Sequence, residues 1–198
     1  MSYSFAVEQA IRAASVLHKD QVRKGQVPYP YITHLCAVAM IVSDYTDDEN
    51  TIVASLLHDT LEDTDYTKEE LEDDFGPMVA SIVHMLTEPP LKNNEKSSLV
   101  EQKKHYLKQL REAPEETLVV LAGDKIHNMR SVVEEYYEDH SGFIAEYGTS
   151  MESRMLLYQE INNILNRNLK NAILAEFNSV FTEYKNFIHD VEKKQNEY

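Results

Sequence analysis

The chain has 198 residues, enough for one domain with a sizeable core. Its 42% hydrophobic and 27% charged residues are ordinary for a globular protein, and no stretch approaches the roughly 20 apolar residues of a membrane span. A net charge of −15 argues against a broad nucleic-acid surface, which needs clustered Lys and Arg, but leaves room for a small anionic substrate where a bound cation inverts the local field. The N-terminus Met1-Ser2-Tyr3-Ser4-Phe5 lacks a basic start and an apolar signal core. The single cysteine, Cys36, sits in an apolar run and reads as a small buried hydrophobe in a reducing compartment. A cytoplasmic protein without a membrane partner is the expectation.

Helical periodicity dominates and strand signals are nearly absent. Ala6, Ala10, Ala13 or Ala14, and Leu17 mark one face of a first helix. A loop with Gly25, Pro28 and Pro30 follows. A second helix is expected at about 31–44, and a third at about 48–62, apolar through Ile52, Val53, Leu56 and Leu57. Thr67-Lys68-Glu69-Glu70 fits a capping box, and Gly76-Pro77 should end that helix and open the next. Pro89-Pro90 closes it, and 91–98 is polar. Helices are expected at about 99–112 and 115–138, the first stopping near Ala113-Pro114. Residues 139–150 hold two glycines and read as a loop, before two further helices at about 151–167 and 169–194. The charge run 134–139 reads as a solvated helix end.

Three segments concentrate metal-binding residue types: Tyr31-Ile32-Thr33-His34, then Leu57-His58-Asp59-Thr60-Leu61-Glu62-Asp63-Thr64, then Asp124-Lys125-Ile126-His127-Asn128. His58-Asp59 follows an apolar run that must be buried, where a carboxylate is costly unless paired or metal-bound. Glu62 and Asp63 lie four residues after His58 and Asp59, so helical spacing puts each pair on one face. Alone, Glu62, Asp63 and Asp65 read equally well as a solvated helix end. Asp124 follows the most apolar run of the chain, Leu118 to Ala122, and Ile32, Leu35, Val38 and Ala39 surround His34. Three such anomalies point to a shared divalent cation. A mixed set of imidazole and carboxylate suits manganese, iron or zinc.

At these residues the sequence resembles the HD superfamily, and more narrowly the hydrolase domain of RelA/SpoT-type stringent-response enzymes. The resemblance runs from about residue 6 to residue 130, through Arg23-Lys24-Gly25, Pro30-Tyr31-Ile32-Thr33-His34, the His58-Asp59 to Thr64 segment, Phe75-Gly76 and Asp124 to Arg130. The chain stops before the synthetase and regulatory domains of the long members, so it is most similar to the small, hydrolase-only alarmone hydrolases. The resemblance implies an all-α bundle of about eight to ten helices in a single domain 1–198, with the metal site in a central cleft. It also implies removal of the 3′-pyrophosphate of guanosine tetra- or pentaphosphate, with Mn2+ as the usual cofactor. His34, His58, Asp59 and Asp124 would bind the metal. Glu62 and Asp63 would activate water or handle the leaving-group proton. Arg23, Lys24 and Asn128 would contact the nucleotide, with Lys125 as a further cation.

Gly123 stands where the family more often has alanine, and Leu35 replaces the common proline after the metal histidine. Two alternatives stay open: an HD phosphohydrolase acting on an adenosine alarmone, a nucleoside monophosphate or NADPH, and a non-catalytic nucleotide-binding regulator. His18, His84, His105, His127, His140 and His189 read as core or surface residues. Nothing in the pattern specifies an oligomeric state.

Overall fold

The computed structural model describes residues 3–23, 28–90, 96–147 and 151–196. Helices run in the order α1 (Phe5–Leu17), α2 (Ile32–Ser43), α3 (Glu49–Leu57), α4 (Thr60–Asp63), α5 (Lys68–Leu86), α6 (Lys96–Arg111), α7 (Glu115–Glu138), α8 (His140–Tyr147), α9 (Met151–Asn168) and α10 (Ile173–Asn196). Among the described residues there is no strand, only an isolated antiparallel bridge between Val22 and Pro30. That bridge, with Arg23 N–H donating to the Tyr29 carbonyl at 2.7 Å, pins the loop between α1 and α2. No helix among the described residues is long and apolar enough to cross a membrane.

Short polar side chains set the helix starts. Ser4 accepts from the Val7 N–H, Asp48 accepts from the Thr51 N–H at 2.8 Å, and Thr67 and Glu70 form the expected capping box. Gly76, at φ 86°, breaks the α5 rod just before Pro77, as the Gly-Pro pair predicts. Every residue of α3 from Thr51 to Leu57 is buried, because this helix packs between α1, α2, α5 and α7. The long α7 contacts α2, α3, α5, α8, α9 and α10 and forms the second axis of the core. Each fully buried leucine at this junction, among them Leu35, Leu56, Leu57 and Leu121, contributes about 1.5–3 kcal/mol of burial.

Three expectations need correction. The third helix does not run unbroken to 62: α3 ends at Leu57, and His58-Asp59 form a turn before α4. The cause is local. His58 Nδ1–H donates to the Ser55 carbonyl at 2.8 Å and Thr60 Oγ1 donates to the Leu57 carbonyl, so side chains take over the last acceptors of α3. Residues 139–150 are not all loop, since α8 forms from His140 to Tyr147. Asp139 starts it by accepting the Gly142 N–H at 3.0 Å, a cap that outweighs the glycine. Cys36 is half-buried rather than fully enclosed.

Gly123 marks a close approach of α7 to α2. A Cβ there would stand 2.7 Å from Val42 Cγ2. Valine is stiff at χ1 in a helix, so the methyl has little freedom to retreat. Overpacking costs about 1–3 kcal/mol, against about 1 kcal/mol gained from the better helix propensity of alanine. Gly123→Ala is therefore expected to lower Tm, and combining it with Val42→Ala should restore more stability than the two single effects predict. Thermal melts of the four proteins check this; strictly additive shifts would refute the contact.

Candidate metal centre

Three helix segments meet where the core polar groups lie. His34 comes from the first turn of α2, His58 and Asp59 from the turn between α3 and α4, and Asp124 from the third turn of α7. His34 is 1% exposed and His58 4% exposed, which removes both from competing water. One ligand atom each from His34, His58 and Asp59 lies within 4.8 Å of the others. Asp124 adds a fourth: its Oδ1 is 3.4 Å from His34 Nε2 and 3.6 Å from His58 Nε2. Asp59 Oδ2 is 3.6 and 3.2 Å from the same two nitrogens. Such donor-to-donor spacings fit one ion bound at roughly 2.0–2.2 Å.

The hydrogen-bond pattern explains why these atoms converge. The His58 proton is committed through Nδ1 to the Ser55 carbonyl, so the neutral ring turns a bare Nε2 toward two carboxylates. That nitrogen is buried without a hydrogen-bond partner. A lone pair facing carboxylate oxygens in a dry site needs a positive charge between them, either a second proton on the ring or a metal ion, and the residues present fit a divalent metal. Further donors hold both carboxylates, two of them on the same oxygens that face the imidazoles. Tyr31 O–H donates to Asp59 Oδ2 at 2.6 Å, Lys125 Nζ donates to Asp124 Oδ2 at 2.7 Å, and Asn128 Nδ2 donates to Asp124 Oδ1.

Charge states follow the same geometry. Burial alone would lower the His58 pKa, but Asp59 and Asp124 raise it well above the ordinary imidazole value. Burial opposes ionisation of Asp59 and Asp124, yet His58 and His34 pull Asp59 down, and Lys125 with the two histidines pulls Asp124 well down. Burial should lower Lys125, and Asp124 beside it raises it instead. Partial burial raises Glu62, and the neighbouring Glu88, Asp59 and Asp63 add to the shift. Asp63 is raised by burial and by Asp59. His127 is lowered to about 4 by burial and by His34 and Arg23.

The cluster opens into a cavity of about 120 Å³ whose wall also includes Glu62, Glu88, Tyr106, Lys125 and Asn128. Glu62 is held there by the Glu88 N–H at 3.2 Å. Asp63 is not on this wall, but its backbone carbonyl accepts from Gln21 Nε2 at 2.7 Å. Tyr31 and Asn128 also line a second cavity of about 360 Å³, with Arg23, Glu135, Arg154 and Tyr158. Arg23 donates to Asn128 Oδ1 at 3.2 Å and lies 5.8 Å from the centre of the Tyr31 ring. Lys24 lies outside the described residues. Lys125 points to Asp124 rather than standing apart as an independent cation. A larger cavity, about 810 Å³, lies between α7 and α10 and includes none of these groups.

Sequence reasoning missed several neighbours. His127, set aside as core or surface, faces His34 with its Nδ1 2.9 Å from the His34 Nδ1. Its signal was its place three residues after Asp124 on one helix. His18 stacks on Tyr31, with ring centres 5.2 Å apart. Tyr106, Arg154 and Tyr158 reach the cavities from α6 and α9, where no local pattern marks them.

Among the described residues, an all-helical bundle with a buried His/Asp centre defines the class: a helical domain with a site that fits a divalent metal. Residues 10–147 match the HD domain family, and the chain belongs to it. It is 33% identical to the Danio rerio guanosine-3′,5′-bis(diphosphate) 3′-pyrophosphohydrolase MESH1 over 145 residues, 66% of this chain and 77% of that protein. It is 35% identical to a GTP pyrophosphokinase of Streptomyces coelicolor over 126 residues, 64% of this chain but 14% of that one. The chain spans only 14% to 16% of the length of that protein and its actinobacterial counterparts. A solved structure of a metazoan ortholog of SpoT, described as hydrolysing ppGpp, superposes with a TM-score of 0.73 at 23% identity, covering 92% of this chain and 97% of that one. A Listeria monocytogenes structure superposes at 0.62 and 24% identity, covering 80% of this chain and 96% of that one. At these identities the two superpositions speak to the fold.

A cation at about 100 times its Kd should stabilise the fold by about 2.7 kcal/mol, and chelation should remove that gain. Asp124→Ala should abolish the metal-induced rise in Tm. The rise should also grow with pH. The elevated His58 pKa stabilises the metal-free protein below its unfolded value, and this contribution is lost as pH rises through the folded one. Binding the cation requires that same proton to leave, so acid favours the metal-free form. Melting curves with and without chelator across pH 6–9 measure both effects, and a pH-independent metal shift would contradict the assignment.

Proposed function

We propose that the chain is a manganese-dependent hydrolase that removes the 3′-pyrophosphate of guanosine tetra- or pentaphosphate, leaving GDP or GTP. The observation that carries this reading is the shared wall. Glu62, a carboxylate with a raised pKa, lines the same small cavity as His34, His58, Asp59 and Asp124. The similarity to MESH1 over most of that protein's length supports the choice of substrate. A small nucleotide substrate suits a cytoplasmic setting.

In this reading His34, His58, Asp59 and Asp124 hold the ion, which when bound polarises a phosphoryl oxygen and lowers the pKa of coordinated water. Glu62, kept in place by the Glu88 N–H, takes the proton of the attacking water. Water adds to the phosphorus next to the ribose 3′-oxygen, the bond to that oxygen breaks, and pyrophosphate departs. The released 3′-oxygen needs a proton, and Asp63, also raised in pKa, is the second acid on this turn. Arg23 and Arg154 outnumber the one carboxylate, Glu135, on the adjoining cavity, a balance that suits a polyphosphate in a chain of net charge −15. Asn128 links the two compartments by bonding both Asp124 and Arg23. Lys24 fits the phosphate side by its place in the Arg-Lys-Gly segment, and Lys125 supplies charge beside Asp124.

The test is turnover of guanosine tetraphosphate with Mn2+, with products separated by ion-exchange chromatography. GDP and pyrophosphate are expected, and orthophosphate as the sole released product would overturn the reading. The same assay on adenosine alarmones, nucleoside monophosphates and NADPH ranks the alternative substrates. Glu62→Gln should slow kcat by about 10²-fold while Mn2+ affinity stays level; an unchanged kcat would remove Glu62 from its role.

A further inference from the structure

The two imidazoles of the metal centre are oriented by different partners. His58 uses a backbone carbonyl at 2.8 Å, which no substitution removes. His34 uses a side chain: its Nδ1 lies 2.9 Å from Nδ1 of His127, with the rings tilted at 55°. Two ring nitrogens at that distance share one proton, so one donates and the other accepts.

Only one arrangement leaves the metal side open. His34 Nε2 faces Asp124 and Asp59 at 3.4 and 3.6 Å. To offer a lone pair there, a neutral His34 must carry its proton on Nδ1 and donate it to His127. His127 must then present a bare Nδ1 and carry its own proton on Nε2. In the reverse arrangement His127 donates, and the His34 proton sits on Nε2, where it blocks the cation. The partner that accepts from a ligating histidine is usually a carboxylate or a carbonyl; here a second imidazole fills that place.

We propose that His127 is a positioning residue: by accepting the Nδ1 proton of His34 it holds that ring in the tautomer that presents Nε2 to the metal. This rests on the metal reading of the cluster, and metal binding by the unaltered protein tests that reading separately.

Calorimetric titration of the metal-free full chain with Mn2+ alone provides the readout. His127→Phe keeps a ring of similar size but has no acceptor, and its Mn2+ affinity should fall by about 10- to 100-fold. His127→Asn returns an acceptor oxygen near the Nδ1 position and should recover most of that loss. Excess Mn2+ should restore hydrolysis by the Phe variant, a rescue that a general folding defect would not allow. Equal Mn2+ affinity in the Phe variant and the unaltered chain would overturn the proposal. A second measurement needs no variant. Imidazole nitrogen NMR of the chain loaded with diamagnetic Zn2+ should show His34 protonated at Nδ1 and His127 at Nε2, and the reverse tautomers would overturn it equally. Absence of Mn2+ binding by the unaltered chain would defeat the metal reading and this inference together.

Discussion

Two carboxylates and two imidazole nitrogens crowd into a dry space a few ångströms across, and most of the local architecture answers that electrostatic problem. Without a cation the repulsion is relieved by protonating His58, which the surrounding aspartates favour. A divalent cation at the same point would relieve it as well. The surrounding contacts aim the carboxylates at the shared centre: Lys125 holds the far oxygen of Asp124, while Tyr31 and Asn128 donate to the oxygens that face the imidazoles. A centre of this kind is costly to assemble from flexible parts. Here it is mounted on helices that the core already fixes.

The break between α3 and α4 is the clearest case of local structure serving the site. A continuous helix would place His58 and Asp59 on a regular spiral, 100° apart. Ending α3 at Leu57 lets His58 use its Nδ1 on its own helix end while Nε2 and the Asp59 carboxylate turn to the same point. The short α4 then sets Glu62 on the cavity wall and leaves Asp63 toward Gln21.

Much of this was legible in the sequence, for identifiable reasons. The capping box at Thr67, the Gly76-Pro77 break and the limits of α7 come from backbone chemistry acting within a few residues. The metal cluster was visible because ionisable side chains inside apolar runs are anomalous wherever they occur. Less accessible were effects that depend on side-chain competition or distant packing. The helix break at His58 arises from side chains capturing carbonyls, which periodicity does not register. Helix α8 was hidden because Gly142 was weighed as a breaker while the Asp139 cap was overlooked. Tyr106, Arg154 and Tyr158 arrive from elements with no motif of their own, so only the tertiary arrangement brings them to the cavities.

Helix α9 begins at Met151, beyond the segment that matches the HD family. Through Arg154 and Tyr158 it nonetheless forms one side of the larger cavity next to the metal centre. That cavity is thus walled jointly by the matched segment, through Arg23, Tyr31 and Asn128, and by a helix beyond it. Changes in α9 can reshape one wall of this cavity without touching the buried His/Asp cluster, none of whose members lies on that helix. On the proposed reading, such a division leaves the C-terminal wall open to remodelling around a buried centre that stays as it is.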